Sequence, residues 1–178
     1  MNPRFPSPSP SAPDQALPEG TRQVPVVGWR TWRARAAAGG AVLLGPYSGT
    51  RWDSGSTRAT CRLCPPWMAN LHPVPHPGCR CGLYAFSTLE EAFHNLMNQA
   101  HTMQACGQGA AIVGAVIGWG RIVQHGGQGW RAEYARPVAL LGTGHPMLGP
   151  LARHHRVPVV SARGLRLLPL EYGEALTR

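Results

Sequence analysis

Four cysteines in two close pairs are the residues of this chain whose types and spacing best suit chemistry. Residues 60–64 read TCRLC and residues 72–86 read HPVPHPGCRCGLYAF. The first pair therefore has C-x2-C spacing and the second has C-x-C spacing. A short loop lets two sulfurs converge on one ion at about 2.3 Å, and structural zinc sites are built from such pairs. In a cytosolic chain, paired cysteines bind a metal more often than they form disulfides. The sequence therefore predicts a zinc site whose ligands are Cys61, Cys64, Cys79 and Cys81.

Three alternatives to this ligand set stay open. In the first, His72 or His76 replaces one of the cysteines, because both histidines lie between the two pairs. In the second, the metal is iron in a redox cluster, and in the third the cysteines are ordinary reduced thiols in a loop. Gly78 and Gly82 favour a chelating loop, since glycine gives the backbone beside the second pair the freedom that a tight turn needs.

The predicted metal is structural rather than catalytic. A catalytic zinc ion keeps an open coordination position and needs a general base close by. Asp53 is the nearest carboxylate upstream of the cysteines, and Glu90 is predicted to cap a helix. The H-x-E and P-C-x-x-C segments of zinc-dependent nucleobase deaminases do not occur in the sequence. Four sulfur ligands would therefore close the coordination shell and exclude water.

The segments around the cysteines predict an α+β fold, a small, β-rich and barrel-like domain with one main helix and a Cys-rich loop. β-branched and aromatic residues interrupted by glycines predict two hairpins. The first consists of residues 23–35 and 41–47, and the second of residues 112–125 and 130–141 on either side of GGQG.

The main helix is predicted to begin at Ser87, which forms an S-x-x-E capping box with Glu90. Apolar residues at helical spacing follow it. Towards the end of the chain, the sequence predicts a short helix at 150–156, a strand at 157–160 and a terminal strand at 165–170.

One face of the second hairpin is predicted to interleave aromatic and arginine side chains. If GGQG is the loop, residue 121 faces 134 and residue 125 faces 130. Arginine over an aromatic ring stabilises a sheet by roughly 0.5–2 kcal/mol, which is the simpler interpretation of this face. Aromatic rings beside positive charge also bind single-stranded nucleic acid. The candidate binding residues are therefore Trp119, Arg121, Trp130 and Tyr134, and the predicted ligand is RNA, DNA or a nucleotide.

The charge of the chain is consistent with an anionic partner. The net charge is +9 and all 17 basic residues are arginine, a bias that GC-rich coding explains equally well. Between Asp53 and Glu90 the sequence has Arg58, Arg62 and Arg80 and no acidic residue. This distribution predicts a positive surface around the cysteines.

The chain is predicted to contain one globular domain, at residues 23–172. Six of the first 18 residues are proline, which predicts a disordered leader at 1–22, and residues 173–178 form a short tail. No signal-peptide pattern is present, and the longest apolar run, residues 110–120, is too short and too glycine-rich to cross a bilayer. The sequence therefore predicts a cytoplasmic protein with no membrane partner.

Two segments of the chain resemble a family of small, uncharacterised bacterial proteins. They are CRCGLYA, at 79–85, and the hairpin with WGRIVQH and RAEYARP, and the resemblance extends over residues 24–142. Gln124 stands where the family pattern has glutamate, and Arg136 where it has tyrosine. The resemblance implies a folded module and no particular activity. The strand IVGAVIGW, preceded by a helix, also resembles that of PUA-like barrels, which implies a module that binds RNA or modified bases.

Three functions compete at this point. The leading one is a metal-stabilised binding module that recognises nucleic acid or a nucleotide through the aromatic and arginine face. The alternative is a protein-interaction adaptor whose Pro-rich leader serves as a tether. An enzyme with His76 or His125 beside an open metal is the least favoured, because the chain has only eight carboxylate side chains and no phosphate-binding loop motif.

Overall fold

The chain forms an α+β domain in which strands predominate. The structure is a computed structural model that describes residues 21–22, 25–38, 40–62, 72–106, 109–125 and 128–172. The predicted tail, and the predicted leader apart from residues 21–22, lie outside these ranges. Within them, no helix is long and apolar enough to cross a membrane. The elements are, in chain order, β1 (Thr21–Arg22), β2 (Val26–Ala37), β3 (Gly40–Leu44), β4 (Arg51–Trp52), β5 (Thr57–Arg58), β6 (Leu83–Phe86), α1 (Leu89–Cys106), β7 (Ala110–His125), β8 (Gly129–Leu141), α2 (Leu148–His155), β9 (Val159–Val160) and α3 (Ala162–Tyr172).

Four of the strands close a hydrogen-bonded ring. β2 pairs with β7, β7 with β8, β8 with β6, and β6 again with β2, and all of these pairings are antiparallel. β3 and β4 extend the sheet beyond β2, while β5 and β9 pair with β8. Both predicted hairpins are present, as β2–β3 and β7–β8. The predicted α+β, β-rich and barrel-like fold is therefore confirmed.

Trp130 fills the interior of this ring. Its side chain is fully buried, and its indole Nε1 donates a hydrogen bond to the carbonyl oxygen of Val27 at 3.3 Å. Two glycines of the facing strands make room for the indole: a Cβ on Gly28 would lie 2.7 Å from Nε1, and one on Gly118 would lie 2.4 Å from the ring. Trp130 is thus a core residue and does not lie on an exposed stacking face, contrary to the prediction from the sequence.

The register of the β7–β8 hairpin explains this difference. Val123 pairs with Arg131 rather than with residue 132, so the pairing is shifted by one residue from the predicted one. The shift arises because Gly129 belongs to β8 and not to the loop: a Cβ there would lie 2.0 Å from the carbonyl oxygen of Ala85 in β6. A one-residue shift moves side chains to the opposite face of a sheet. A bulge at Gly120, where φ is 76°, then brings Trp119 opposite Tyr134.

The N-cap of the main helix is Thr88, one residue later than predicted. The amide of Glu91 donates to Thr88 Oγ1 at 3.2 Å, and the Thr88 hydroxyl donates to the Glu91 carboxylate at 3.0 Å. The predicted cap, formed by Ser87 and Glu90, is thus replaced by these bonds between Thr88 and Glu91. Glu90 instead makes an ion pair with Arg166 of α3 at 2.7 Å, which links the two helices.

The terminal strand predicted at residues 165–170 is wrong, because these residues belong to α3. Leu165 and Leu168 are buried in the apolar layer between the sheet and the helices. Their spacing of three residues places both on one face of a helix. A short apolar run such as LRLLPL fits a strand or a helix equally well until the packing of its neighbours decides.

Candidate metal centre

Three cysteines and one histidine gather beside the ring. The ligand atoms of Cys61, His72, Cys79 and Cys81 all lie within 4.8 Å of one another. The sulfurs of Cys61 and Cys79 are 3.7 Å apart, well beyond the roughly 2.05 Å of a disulfide. Two sulfurs that share a tetrahedral zinc ion, each at about 2.3 Å, are separated by about 3.8 Å. The cluster can therefore hold one metal ion after a contraction of its widest separations.

The cluster agrees in part with the ligands predicted from the sequence. It contains three of the four predicted cysteines, and Cys64 lies outside the described residues. His72 joins it, as one of the alternatives allowed. His76 does not belong to the cluster, and its Nδ1 accepts a hydrogen bond from the amide of Gly78 at 3.1 Å.

Pairing with β8 explains why segments so far apart in the chain meet here. β5 pairs with β8 at Tyr134 and Ala135, and β6 pairs with the adjoining stretch of β8 from Gly129 to Ala132. Cys61 comes just after β5, while Cys79 and Cys81 come just before β6. The two cysteine segments therefore lie at the same edge of β8, because β5 and β6 pair with neighbouring stretches of that edge.

Gly82 allows the chain to pass from the second pair of cysteines into β6. Its φ is 126°, a conformation that side chains with a Cβ rarely adopt. A Cβ at this position would also lie 2.9 Å from Cβ of Arg131 and 3.1 Å from Cβ of Pro75. The glycine is thus required both by the backbone conformation and by close packing. Gly78, by contrast, does not have a positive φ.

The buried side chain of Arg131 forms hydrogen bonds with the backbone of the second cysteine pair. Its guanidinium Nη1 donates to the carbonyl oxygens of Cys79, of Cys81 at 3.0 Å and of His76 at 3.4 Å. The residue is only 4% exposed, and no carboxylate of the described residues forms an ion pair with it. A buried cation without a carboxylate is stabilised by other negative charge close to it, and cysteine thiolates on the adjoining loop would supply such charge.

The tautomer of His72 suits a metal ligand. Its Nδ1 lies 2.9 Å from the carbonyl oxygen of Pro73. Because a carbonyl oxygen only accepts, Nδ1 must carry the hydrogen, and in the neutral ring Nε2 keeps its lone pair. Metal-bound histidines are oriented in the same way, with one ring nitrogen donating to a backbone carbonyl or a carboxylate while the other binds the ion.

The thiol of Cys81 is unsuited to act as a nucleophile. Burial raises its pKa to about 11, and the neighbouring Cys79 and Cys61 contribute in the same direction. A thiol of that pKa is protonated at neutral pH and therefore unreactive. A bound metal ion reverses this tendency, since a coordinating thiol is deprotonated by the ion itself.

The predicted binding face is only partly assembled. Trp119 and Tyr134 stack on each other, with ring centroids 5.9 Å apart and an interplanar angle of 14°. Both are half-buried, and the guanidinium of Arg58 lies 5.6 Å from the centre of the Tyr134 ring. Arg121 is half-buried and follows the bulge. The structure therefore brings Trp119 and Tyr134 together and places Trp130 inside the ring.

Sequence reasoning did not single out Arg131 as part of the site. The predicted register of the hairpin, which differs from the observed one by one residue, gave no reason to place Arg131 beside the cysteines. Nothing local in the sequence distinguishes Arg131 from the other arginines of the chain. The correct register of β8 against both β6 and β7 would have revealed it.

Comparisons of the chain with family models, with curated proteins and with solved structures found no match. The resemblance to a bacterial family therefore stays a prediction. The fold and the Cys/His cluster define the chain as a small α+β domain with a candidate metal centre.

Proposed function

We propose that this protein is a zinc-stabilised binding module for nucleic acid or nucleotides. The observation that supports the metal is the convergence of Cys61, His72, Cys79 and Cys81 within 4.8 Å. Three thiolates and one imidazole are a common donor set of structural zinc sites, and spacing this close suits a single ion. Four protein ligands leave no coordination position for water, so the ion holds the fold and does no chemistry.

Metal analysis of the purified protein tests this proposal. We expect about one zinc ion per chain after purification without chelators, and loss of the ion in Cys61→Ser, Cys79→Ser and Cys81→Ser. Cys106→Ser is the matched control, because Cys106 lies in α1, and this variant should keep its zinc. Loss of zinc in His72→Ala but not in Cys64→Ser would assign the fourth ligand to His72, and the reverse to Cys64. A wild-type protein that is folded and free of metal would contradict the proposal.

The stacked pair of Trp119 and Tyr134 supports recognition of nucleobases. Arg58 lies over the Tyr134 ring and is largely exposed, although Glu133 contacts it at 3.5 Å. An exposed ion pair of this kind is worth little in water, so the guanidinium remains able to approach a phosphate. The net charge of +9 adds a general attraction for polyanions. A base would extend the existing stack while the backbone of the nucleic acid contacts the arginine.

Titration of single-stranded RNA and DNA at several salt concentrations tests this interface. Trp119→Ala should weaken binding by 1–3 kcal/mol, or roughly 5- to 150-fold, because one stacking surface is lost. Arg58→Gln should reduce the salt dependence of the affinity, whereas the control Arg166→Gln, on α3, should leave it close to wild type. Each variant is first checked for an unchanged unfolding temperature. Absence of binding by the wild type at about 50 mM salt would refute the interface.

A further inference from the structure

Arg30 is a second buried cation without a carboxylate partner. It is 8% exposed, and neither ion pair in the described part of the chain involves it. Its Nη1 donates to the carbonyl oxygen of Tyr84, and its guanidinium lies 4.7 Å from the centre of the Trp52 ring. Nε is buried with no hydrogen-bond partner. Burial lowers the pKa of Arg30 to about 9, which still leaves the group charged at neutral pH.

Arg30 lies where two strands diverge along one edge of β2. β7 pairs with one edge of β2, at both Trp29 and Arg33. The opposite edge of β2 is shared by two strands, since β6 pairs there at Trp29 and β3 pairs there at Arg33. No described strand pairs with residues 30–32 along that edge. We call this gap between β3 and β6 the fork. The side chain of Arg30 crosses it towards β6, because Nη1 reaches Tyr84 of that strand.

The loop of residues 45–50, which follows β3, forms the other wall of the fork. It is a tight turn closed by the hydrogen bond from the amide of Gly45 to the carbonyl oxygen of Thr50 at 2.7 Å. Nη2 of Arg30 lies 3.5 Å from the position that a Cβ on Gly45 would occupy. The hydroxyl oxygen of Ser48 lies 2.7 Å from the same position, so the absence of a side chain at residue 45 lets this hydroxyl and the Arg30 guanidinium approach one another.

A second arginine approaches the same loop from the metal centre. Nη1 of Arg62 donates to the carbonyl oxygen of Ser48 at 3.4 Å, and the residue is exposed. Arg62 directly follows Cys61 in the chain, so this cation is adjacent in sequence to a candidate metal ligand. Nη2 of Arg33 adds a third positive group, 3.8 Å from the Cβ position of Gly49.

We propose that the fork is a binding site for a phosphate group, with Arg30 as its buried anchor and Arg62 at its rim. A guanidinium that is held over an indole ring, and donates through one terminal nitrogen to the protein, presents its remaining N–H groups in a fixed direction. Planar, oriented donors of this kind suit the oxygens of a phosphate. The phosphate would supply the negative charge that Arg30 lacks, which explains why a buried cation is retained at a cost to stability.

Calorimetric titration with inorganic phosphate, at constant ionic strength and with chloride as the reference anion, tests this site. We expect saturable binding to the wild type. In Arg30→Met the affinity should fall roughly tenfold or more, because that is the range for loss of a charge-assisted hydrogen bond. Arg62→Gln, an exposed position, should weaken binding several-fold without affecting folding. Arg153→Gln, an exposed arginine on α2, is the control and should bind as the wild type does.

A parallel titration with a 5′-nucleoside monophosphate separates the sources of the phosphate group. Equal affinity for the two ligands would show that the site recognises the phosphate group alone, and tighter binding of the nucleotide would show that the nucleoside contributes. In both cases Arg30→Met must lose the binding. Phosphate affinity equal in the wild type, Arg30→Met and Arg62→Gln would overturn the proposal, as would no saturable binding by the wild type.

The outcome is independent of the proposed interface at Trp119. The fork contains none of the residues of the stacked pair, so a failure of RNA binding leaves the phosphate titration interpretable.

The unfolding temperature of Arg30→Met should not fall, because an apolar side chain of similar length replaces a buried charge.

Discussion

Removal of the metal is expected to lower the unfolding temperature of this protein by roughly 8–16 °C. An ion present at about a thousand times its dissociation constant stabilises the folded state by about 4 kcal/mol, and for a chain of this size each kcal/mol corresponds to roughly 2–4 °C. Between β5 and β6, the described residues 59–62 and 72–82, which carry the ligands, form no helix or strand. Without the ion, this segment would have to hold its three thiols beside the buried Arg131 of β8 with no regular secondary structure of its own to support it.

Thermal unfolding with and without a strong chelator measures this effect. The Cys81→Ser variant should unfold at the temperature of the chelated wild type and should not respond to the chelator. Cys106→Ser should respond as the wild type does. Identical unfolding temperatures of the wild type in both conditions, with zinc shown to be removed, would mean that the ion does not hold the fold.

Trp130→Ala is expected to reduce the free energy of unfolding by about 3–5 kcal/mol, the usual cost of truncating a large aromatic residue in a core. The indole fills the interior of the ring and packs against Gly28 and Gly118. Its removal leaves a cavity, because the surrounding strands are held apart by their hydrogen-bonded pairing. Urea denaturation monitored by circular dichroism gives the change directly. Trp119→Ala should cost less, because Trp119 is half-buried.

A second substitution tests the same packing from the opposite side. Gly118→Ala would place a methyl group 2.4 Å from the Trp130 ring, and it should destabilise the protein by about 1–3 kcal/mol through overpacking. If Trp130→Ala left the stability unchanged and abolished RNA binding, the sequence-based assignment of Trp130 to the interface would be correct after all.

The elements that the sequence predicted well are those that local patterns determine. Alternating residues around glycines predicted both hairpins, and cysteine spacing predicted three members of the cluster: Cys61, Cys79 and Cys81. Such signals depend only on residues close together in the chain. The inclusion of His72 was one of several open alternatives, because a histidine beside a cysteine pair is equally compatible with an exposed loop.

The features that the sequence did not predict depend on contacts between distant segments. Gly129 looks like a loop residue until β6 is placed against it, and this single assignment determines the register of β8. The register in turn decides whether Trp130 or Arg131 points into the ring. The burial of Arg30 was not predicted for the same reason. It follows from the divergence of β3 and β6, which no local sequence pattern indicates.

The closure of the ring also has a consequence for how the protein is made. Trp130 and its acceptor Val27 are 103 residues apart, so the interior is completed by a contact between distant parts of the chain. Contacts of large sequence separation form slowly, and a nascent chain emerges from its N-terminus. β2 therefore leaves the ribosome long before β7 and β8 exist to cover it. The cysteine segment follows β2 and precedes both of these strands, so an ion bound at the candidate centre would join β5 to β6 before β8 is available to pair with them.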